Sequence, residues 1–162
     1  MINLICAVSE NGIIGIENRL PWKGNYKEDM NFFKEMTFNS TVIMGRATYR
    51  SIGKALPNRR NIVISKKIKN IESLKNISDI EVFHNLEDAL KTCEGDIWLI
   101  GGESIYAEGM KYADNIYLTL IPEYIDVSYK KHAKFPWINT KIFNKQKIKT
   151  ISDNLDVIIY SK

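Results

Sequence analysis

Three groups of residues in this 162-residue chain have types and spacing that could do chemistry. The first is Thr41-Val42-Ile43-Met44-Gly45-Arg46-Ala47-Thr48-Tyr49-Arg50-Ser51-Ile52-Gly53. An apolar run passes through a glycine into a short helical pattern. Backbone N–H groups at such a turn are free to hold an anion. Arg46 adds a fixed cation and Thr48 a hydroxyl donor at the same spot. The segment therefore predicts a grip on a phosphate-bearing ligand. The second group, Ile97-Trp98-Leu99-Ile100-Gly101-Gly102-Glu103-Ser104-Ile105-Tyr106, repeats the strand–glycine–helix pattern. Glycines at the carboxyl end of a strand let main chain approach a ligand closely. One such unit reads equally well as an ordinary turn; two in one small chain suggest a pyrophosphate. Neither is a GxGxxG or Walker loop.

The third group is Leu20-Pro21-Trp22 with the helical stretch that follows. Successive helix residues lie about 100° apart, so Asp29 falls roughly 40° from Phe33 and shares the apolar face of Met30 and Phe33. Glu28 falls roughly 140° from Phe33 and faces water. A carboxylate on an apolar face is costly without a partner, and a shifted pKa there could serve proton chemistry. The plainer readings are a first-turn Asp complementing the helix dipole and a Trp22 that simply packs in a core. Ser65-Lys66-Lys67 follow another apolar run. If that run neighbours Thr41–Met44, the cations and the hydroxyl converge with Arg46 on a phosphate dianion, which Arg can grip bidentately. A solvated Lys pair is the alternative.

Positioning these groups requires strands. Apolar runs occur at Ile2–Val8, Thr41–Met44, Asn61–Ser65, Ile80–Phe83, Ile97–Ile100, Asn115–Ile121 and Leu155–Tyr160. Most are continuous and rich in Ile and Val, as in central strands covered on both faces. Helical patterns fall between them at Tyr26–Phe38, at Asn85–Lys91 behind an Asn cap, and at Ser104–Tyr112. This alternation predicts an α/β fold with a mixed, mostly parallel central sheet flanked by helices. Lys145–Ile151 and Leu155–Ser161 read as a closing antiparallel hairpin.

Composition bounds the rest. Hydrophobic residues make up 44% and charged residues 26%, the balance of an ordinary soluble protein, and the length suits one domain spanning residues 1–162. The net charge of +4 comes mostly from lysines spread along the chain and suits a small anionic ligand as well as nucleic acid, so it is no functional sign by itself; no basic patch interleaved with aromatics argues for nucleic acid. Cys6 and Cys93 stand alone, with no CxxC or Cys/His cluster, so no metal is expected and two thiols in a reducing cytosol are. Met1–Val8 lacks a charged leader and is too short to span a bilayer. The expectation is a cytoplasmic protein without membrane attachment.

Taken together, the motifs resemble the dihydrofolate reductase family. The likeness runs through Met1–Ala7, Gly12–Gly15, Asn18–Trp22, Asp29–Lys34, Val42–Tyr49, Ser51–Arg59, Asn61–Ser65, Ile100–Tyr106 and Tyr117–Thr119, nearly all of residues 1–121. It implies reduction of dihydrofolate to tetrahydrofolate by hydride from NADPH, in the service of one-carbon metabolism and thymidylate synthesis, by a monomer. It implies that Asp29 binds the pterin and favours protonation at N5, with Thr119 bonded to it and Trp22 holding a water. Met30, Phe33, Ile52 and Leu56 resemble the walls around the pterin and benzoyl rings, with Tyr106 beside them. Ile5 and Ile100 resemble positions whose carbonyls meet the pterin. Arg59, supported by Lys34, resembles the partner of the glutamate α-carboxylate. For the cofactor, Ala7 and Ile14 resemble the carboxamide site. Gly15, Asn18 and Leu20 belong to a mobile loop over the nicotinamide. Arg46, Ile64, Ser65, Lys66 and His84 resemble the side that takes the 2′-phosphate and adenosine. Gly45, Ala47, Thr48, Gly101, Gly102, Glu103, Ser104 and Ile105 resemble the pyrophosphate turns.

The chain also departs from the family pattern. Trp22–Asp29 is two residues longer than the common bacterial form and lacks its proline. Ser104 and His84 stand where many relatives have basic residues. Lys130-Lys131-His132-Ala133-Lys134 replaces an acidic segment whose Asp latches the mobile loop, so altered loop closure is expected. Two other readings remain: the related NADPH-dependent pyrimidine reductase of riboflavin synthesis, and a module that binds folate or nucleotide without turnover.

Overall fold

The run Ile2–Val8 becomes strand β1, near the middle of an eight-stranded sheet. The computed structural model describes residues 1–22, 24–67 and 79–162. After β1 the described elements are β2 (Ile13–Ile16), α1 (Lys27–Thr37), β3 (Thr41–Gly45), α2 (Arg46–Ile52), β4 (Arg60–Ile64), β5 (Glu81–Phe83), α3 (Leu86–Lys91), β6 (Ile97–Leu99) and α4 (Glu103–Gly109). β7 (Asn115–Leu120), β8 (His132–Lys134), β9 (Lys145–Ser152) and β10 (Leu155–Ser161) complete the set. The sheet order is β5-β4-β3-β6-β1-β7-β10-β9. Strands β5 through β7 in that order are parallel; β10 and β9 add the antiparallel hairpin.

Burial explains why the runs are continuous. Leu4, Val42, Ile43, Met44, Ile62, Val63 and Leu99 are all fully buried. Successive side chains on a strand point to opposite faces. Leu4, Ile43 and Ile62 pack on one face with Ile105 from α4, while Ile5, Val42, Met44 and Val63 pack on the other with Phe32 from α1. The outer strand β9 is exposed and carries Lys145, Lys147 and Lys149, charges that discourage another strand from adding to the edge. The Asn85 cap forms as its sequence predicts: its Oδ1 accepts a hydrogen bond from Asp88 N at 2.8 Å.

Helix packing on the Leu4 face depends on one glycine. A Cβ on Gly109 would stand 2.3 Å from Leu99 Cδ1 and 3.3 Å from Leu4 Cδ1, so α4 lies directly against the sheet there. Both leucines are fully buried and have little room to yield. Gly109→Ala should destabilise the fold by about 1–3 kcal/mol, seen as a lower urea midpoint at unchanged m-value.

Two local structures differ from what the sequence suggests. The longer approach to α1 is held by Tyr26, which takes φ 59 just before the helix and packs against Trp22; its hydroxyl donates to the Glu123 carboxylate. Lys23, in the same stretch, lies outside the described residues. The segment after β2 turns tightly: Ile16 and Arg19 exchange two backbone hydrogen bonds of 2.9 Å across Glu17 and Asn18, at φ 49 and 63. Positive φ at both central residues suits a tight hairpin, and Asn accepts it readily. β2 then pairs antiparallel with β8, and Glu17 N donates to Lys131 O at 2.8 Å. Main-chain hydrogen bonds thus join the hairpin to the Lys130–Lys134 segment.

Candidate active site

A cavity of about 670 Å³ opens at the carboxyl ends of β1, β3 and β6. That is where an α/β sheet offers a ligand crevice, because chain leaving adjacent strands diverges there. Ile5 and Ala7 contribute from β1, and Asp29, Met30 and Phe33 from α1, with Ile52 at the end of α2 and Leu56 beyond it. Ile14, Gly15, Asn18 and Leu20 come from the β2 hairpin. Gly45 ends β3, with Arg46, Ala47 and Thr48 after it, and Ile64 ends β4, with Lys66 just beyond. Ile100, Gly101, Gly102, Glu103, Ser104, Ile105 and Tyr106 follow β6.

The two glycine turns meet. Gly45 N donates to Gly101 O at 2.8 Å, and a Cβ on Gly102 would lie 3.5 Å from Thr48 Oγ1. Gly101 has φ 120, a region that favours glycine, and a Cβ there would stand 3.2 Å from the Tyr106 hydroxyl. That hydroxyl donates to Ile5 O at 2.8 Å, fixing one of the carbonyl's two acceptor positions and leaving the other.

Asp29 is partly buried on the cavity side of α1, and Glu28 faces water. Burial raises the Asp29 pKa, and the Thr119 hydroxyl opposes this with a smaller effect. Cys6 also lines the cavity, and burial pushes its thiol up to about 12, so it stays protonated. Burial also holds the Tyr106 hydroxyl well above its ordinary value.

Several expected residues stand behind or beside the cavity wall rather than on it. Thr119 is buried on β7. Trp22 is buried in a small cluster with Ile121 and Leu155, against which Tyr26 packs. Arg59 lies outside the wall, at the carboxyl end of α1, where Nε donates to Thr37 Oγ1 at 2.8 Å and Nη2 to Lys34 O at 3.0 Å. Lys34 is exposed, and that carbonyl is its contact with Arg59. Ser65 N donates to Phe83 O at 3.0 Å, which brings His84 to the same sheet end, though exposed. β3 and β4 are neighbours, so Arg46 and Lys66 do converge, while Lys67 is not on the wall.

The cavity adds Cys6, Arg19, Ser51, Glu108, Lys131, His132 and Ala133. Glu108 had a usable signal, since it lies one helical turn after Ser104 and shares its face. Lys131–Ala133 had none: they arrive through β8 pairing with β2.

The fold and the cavity define an α/β protein with a crevice at its sheet's carboxyl edge, walled by two glycine turns, apolar side chains and the partly buried Asp29. The sequence profile described as dihydrofolate reductase matches residues 1–160. The dihydrofolate reductase of Buchnera aphidicola is 36% identical over 149 residues, covering 91% of this chain and 86% of its own. That of Staphylococcus haemolyticus is 37% identical over 140 residues, covering 85% and 78%. A solved dihydrofolate reductase from Enterococcus faecalis, complexed with NADP(H) and RAB-propyl, superposes with a TM-score of 0.82 at 28% identity, covering 99% of this chain and 95% of that one. The chain belongs to the dihydrofolate reductase family.

Proposed function

We propose that the protein reduces 7,8-dihydrofolate to 5,6,7,8-tetrahydrofolate with NADPH. The observation that carries this reading is the position of Asp29, a carboxylate raised in pKa by burial, in the apolar wall of the cavity that also holds both glycine turns.

The residues fit the cofactor. Ser65 Oγ is buried without a hydrogen-bond partner among the described residues, at the end of β4 beside Lys66. A buried hydroxyl without a partner is costly, and a phosphate oxygen would satisfy it. Arg46, Ser65 and Lys66 would hold the 2′-phosphate, with His84 alongside. Thr48, Gly45 and Ala47 would hold the pyrophosphate against Gly101–Ile105. Ala7, Ile14, Gly15, Asn18 and Leu20 would enclose the nicotinamide, which supplies a hydride to C6 of the pterin when bound.

The chain's own part is position and electrostatics. Asp29 accepts hydrogen bonds from the pterin amino group and N3 and favours protonation at N5. Thr119 holds Asp29 from behind. Trp22 would hold the ordered water through which N5 is protonated. Met30, Phe33, Ile52, Leu56 and Tyr106 exclude water around the rings, with the carbonyls of Ile5 and Ile100 at their edge. Arg59, with Lys34, takes the glutamate carboxylate. The same reading takes residues 1–162 as one domain of a cytoplasmic monomer. No helix among the described residues is long and apolar enough to cross a membrane.

Consumption of NADPH with dihydrofolate, followed by its absorbance, tests the proposal; tight binding of both ligands without consumption would overturn it in favour of a non-catalytic module. The pyrimidine reductase reading does not account for Asp29, Phe33 and Arg59 together. Arg46→Ala should weaken NADPH binding by about 1–3 kcal/mol while sparing NADH, as expected for a lost charge-assisted bond. Equal losses would place Arg46 on the pyrophosphate instead.

A further inference from the structure

Glu108 Oε1 lies 2.7 Å from Lys66 Nζ, and both residues line the cavity. We propose that Glu108 sets how strongly the site prefers a 2′-phosphorylated dinucleotide, by neutralising Lys66 and by offering its own carboxylate to an unphosphorylated ribose. The proposal rests on the cofactor reading above and names a determinant of its specificity.

Charge at this corner of the cavity is unevenly committed. Arg46 makes no ion pair among the described residues, and Ser65 Oγ has no partner there. Lys66 alone of this group is already matched, by an acid that α4 brings to the same wall. A phosphate dianion arriving here must draw Lys66 away from Glu108 or lie beside a carboxylate. Either course costs binding free energy that a neutral ribose does not lose. A ribose 2′-hydroxyl is a donor, and a carboxylate is the acceptor that reads it; an arginine reads the 2′-phosphate. This corner holds both kinds of reader.

The pair tunes binding without closing the site. The Lys66 side chain is 65% exposed and that of Glu108 33%. Ion pairs this exposed contribute little, because water already solvates both partners, so a dianion can recruit Lys66.

The test is Glu108→Gln, which keeps the size and removes the charge. Dissociation constants for NADPH, NADH and 2′,5′-ADP are measured by titration calorimetry on the wild type, Glu108→Gln, Lys66→Ala and the double variant. Glu108→Gln should tighten NADPH and 2′,5′-ADP by about threefold to tenfold and leave NADH unchanged or weaker. The gain should shrink when Lys66 is Ala, since the two residues are then no longer coupled. General loosening of α4 would weaken all ligands together and could not raise the NADPH-to-NADH affinity ratio. An unchanged or lowered ratio in Glu108→Gln overturns the proposal while the cofactor reading stands. If the wild type binds neither NADPH nor 2′,5′-ADP, the cofactor reading falls, and this proposal with it.

Discussion

Asp29→Asn should lose most of the turnover and yet fold more stably than the wild type at neutral pH. A positioned proton donor or acceptor is worth about 10²–10⁴-fold in rate, so a loss in that range is expected near neutrality. The loss should narrow in acid, where substrate can take its N5 proton from solvent. Stability moves the other way. Burial raises the Asp29 pKa above its ordinary value, so the folded state holds this proton more tightly than the unfolded chain does. The resulting stabilisation is complete below the ordinary carboxylate pKa and is lost as pH rises through the raised one. At neutral pH the ionised carboxylate is therefore a cost to the fold, and the neutral amide removes it. The gain in Tm should be largest at neutral pH and vanish in acid. Thermal melts and steady-state rates across pH check both arms. Glu28→Gln, on the solvent side of α1, should change neither. If Glu28→Gln is the inactive variant and Asp29→Asn turns over normally, Asp29 is not the acid.

Arg59→Lys should raise KM for dihydrofolate about 10–100-fold with a much smaller change in kcat. Charge-assisted hydrogen bonds are worth about 1.5–3 kcal/mol each, and a lysine cannot make the paired set. A guanidinium has five N–H donors. Here Nε donates to Thr37 Oγ1 at 2.8 Å, Nη1 to Pro57 O at 2.5 Å and Nη2 to Lys34 O at 3.0 Å. One N–H remains on each terminal nitrogen, the two-pronged arrangement that matches a carboxylate. Partial burial lowers the Arg59 pKa, but an arginine keeps its charge at any working pH. The three internal bonds would also be lost, so Tm should fall as well. A substrate without the glutamate tail, dihydropteroate, separates the two roles. Its KM should be the same for both proteins; an equal rise for both substrates would make Arg59 a structural tie between α1 and β4 and nothing more.

The hairpin after β2 meets the segment that departs most from the family pattern. The lysine-rich Lys130–Lys134 segment carries no carboxylate to accept from a loop amide. In the structure the β2 hairpin is joined to this segment by β2–β8 pairing and the Glu17 N to Lys131 O bond. Main-chain donors and acceptors are the same at every residue but proline, so no residue type marks such a junction.

What the sequence determined by itself was local. Continuous Ile- and Val-rich runs imply strands buried on both faces, and those strands are the sheet. A glycine leaving a strand before a cation or hydroxyl implies an anion turn, and helical angle alone separates Asp29 from Glu28. These follow from periodicity and backbone sterics, which act within a few residues. Periodicity could not say what covers an apolar face. On α1 it marks Met30, Phe33 and Met36 alike, yet Phe32 is the side chain buried in the core, while Met30 and Phe33 line the cavity and Met30 is 47% exposed. Only tertiary structure decided that, because a cavity wall and a core interior ask for the same residue types. It also decided which distant groups meet: Glu108 with Lys66, Arg59 with the end of α1, and Lys131–Ala133 with the β2 hairpin. Each depends on strand order and on where helices cross the sheet, and neither is written in the spacing of the residues concerned.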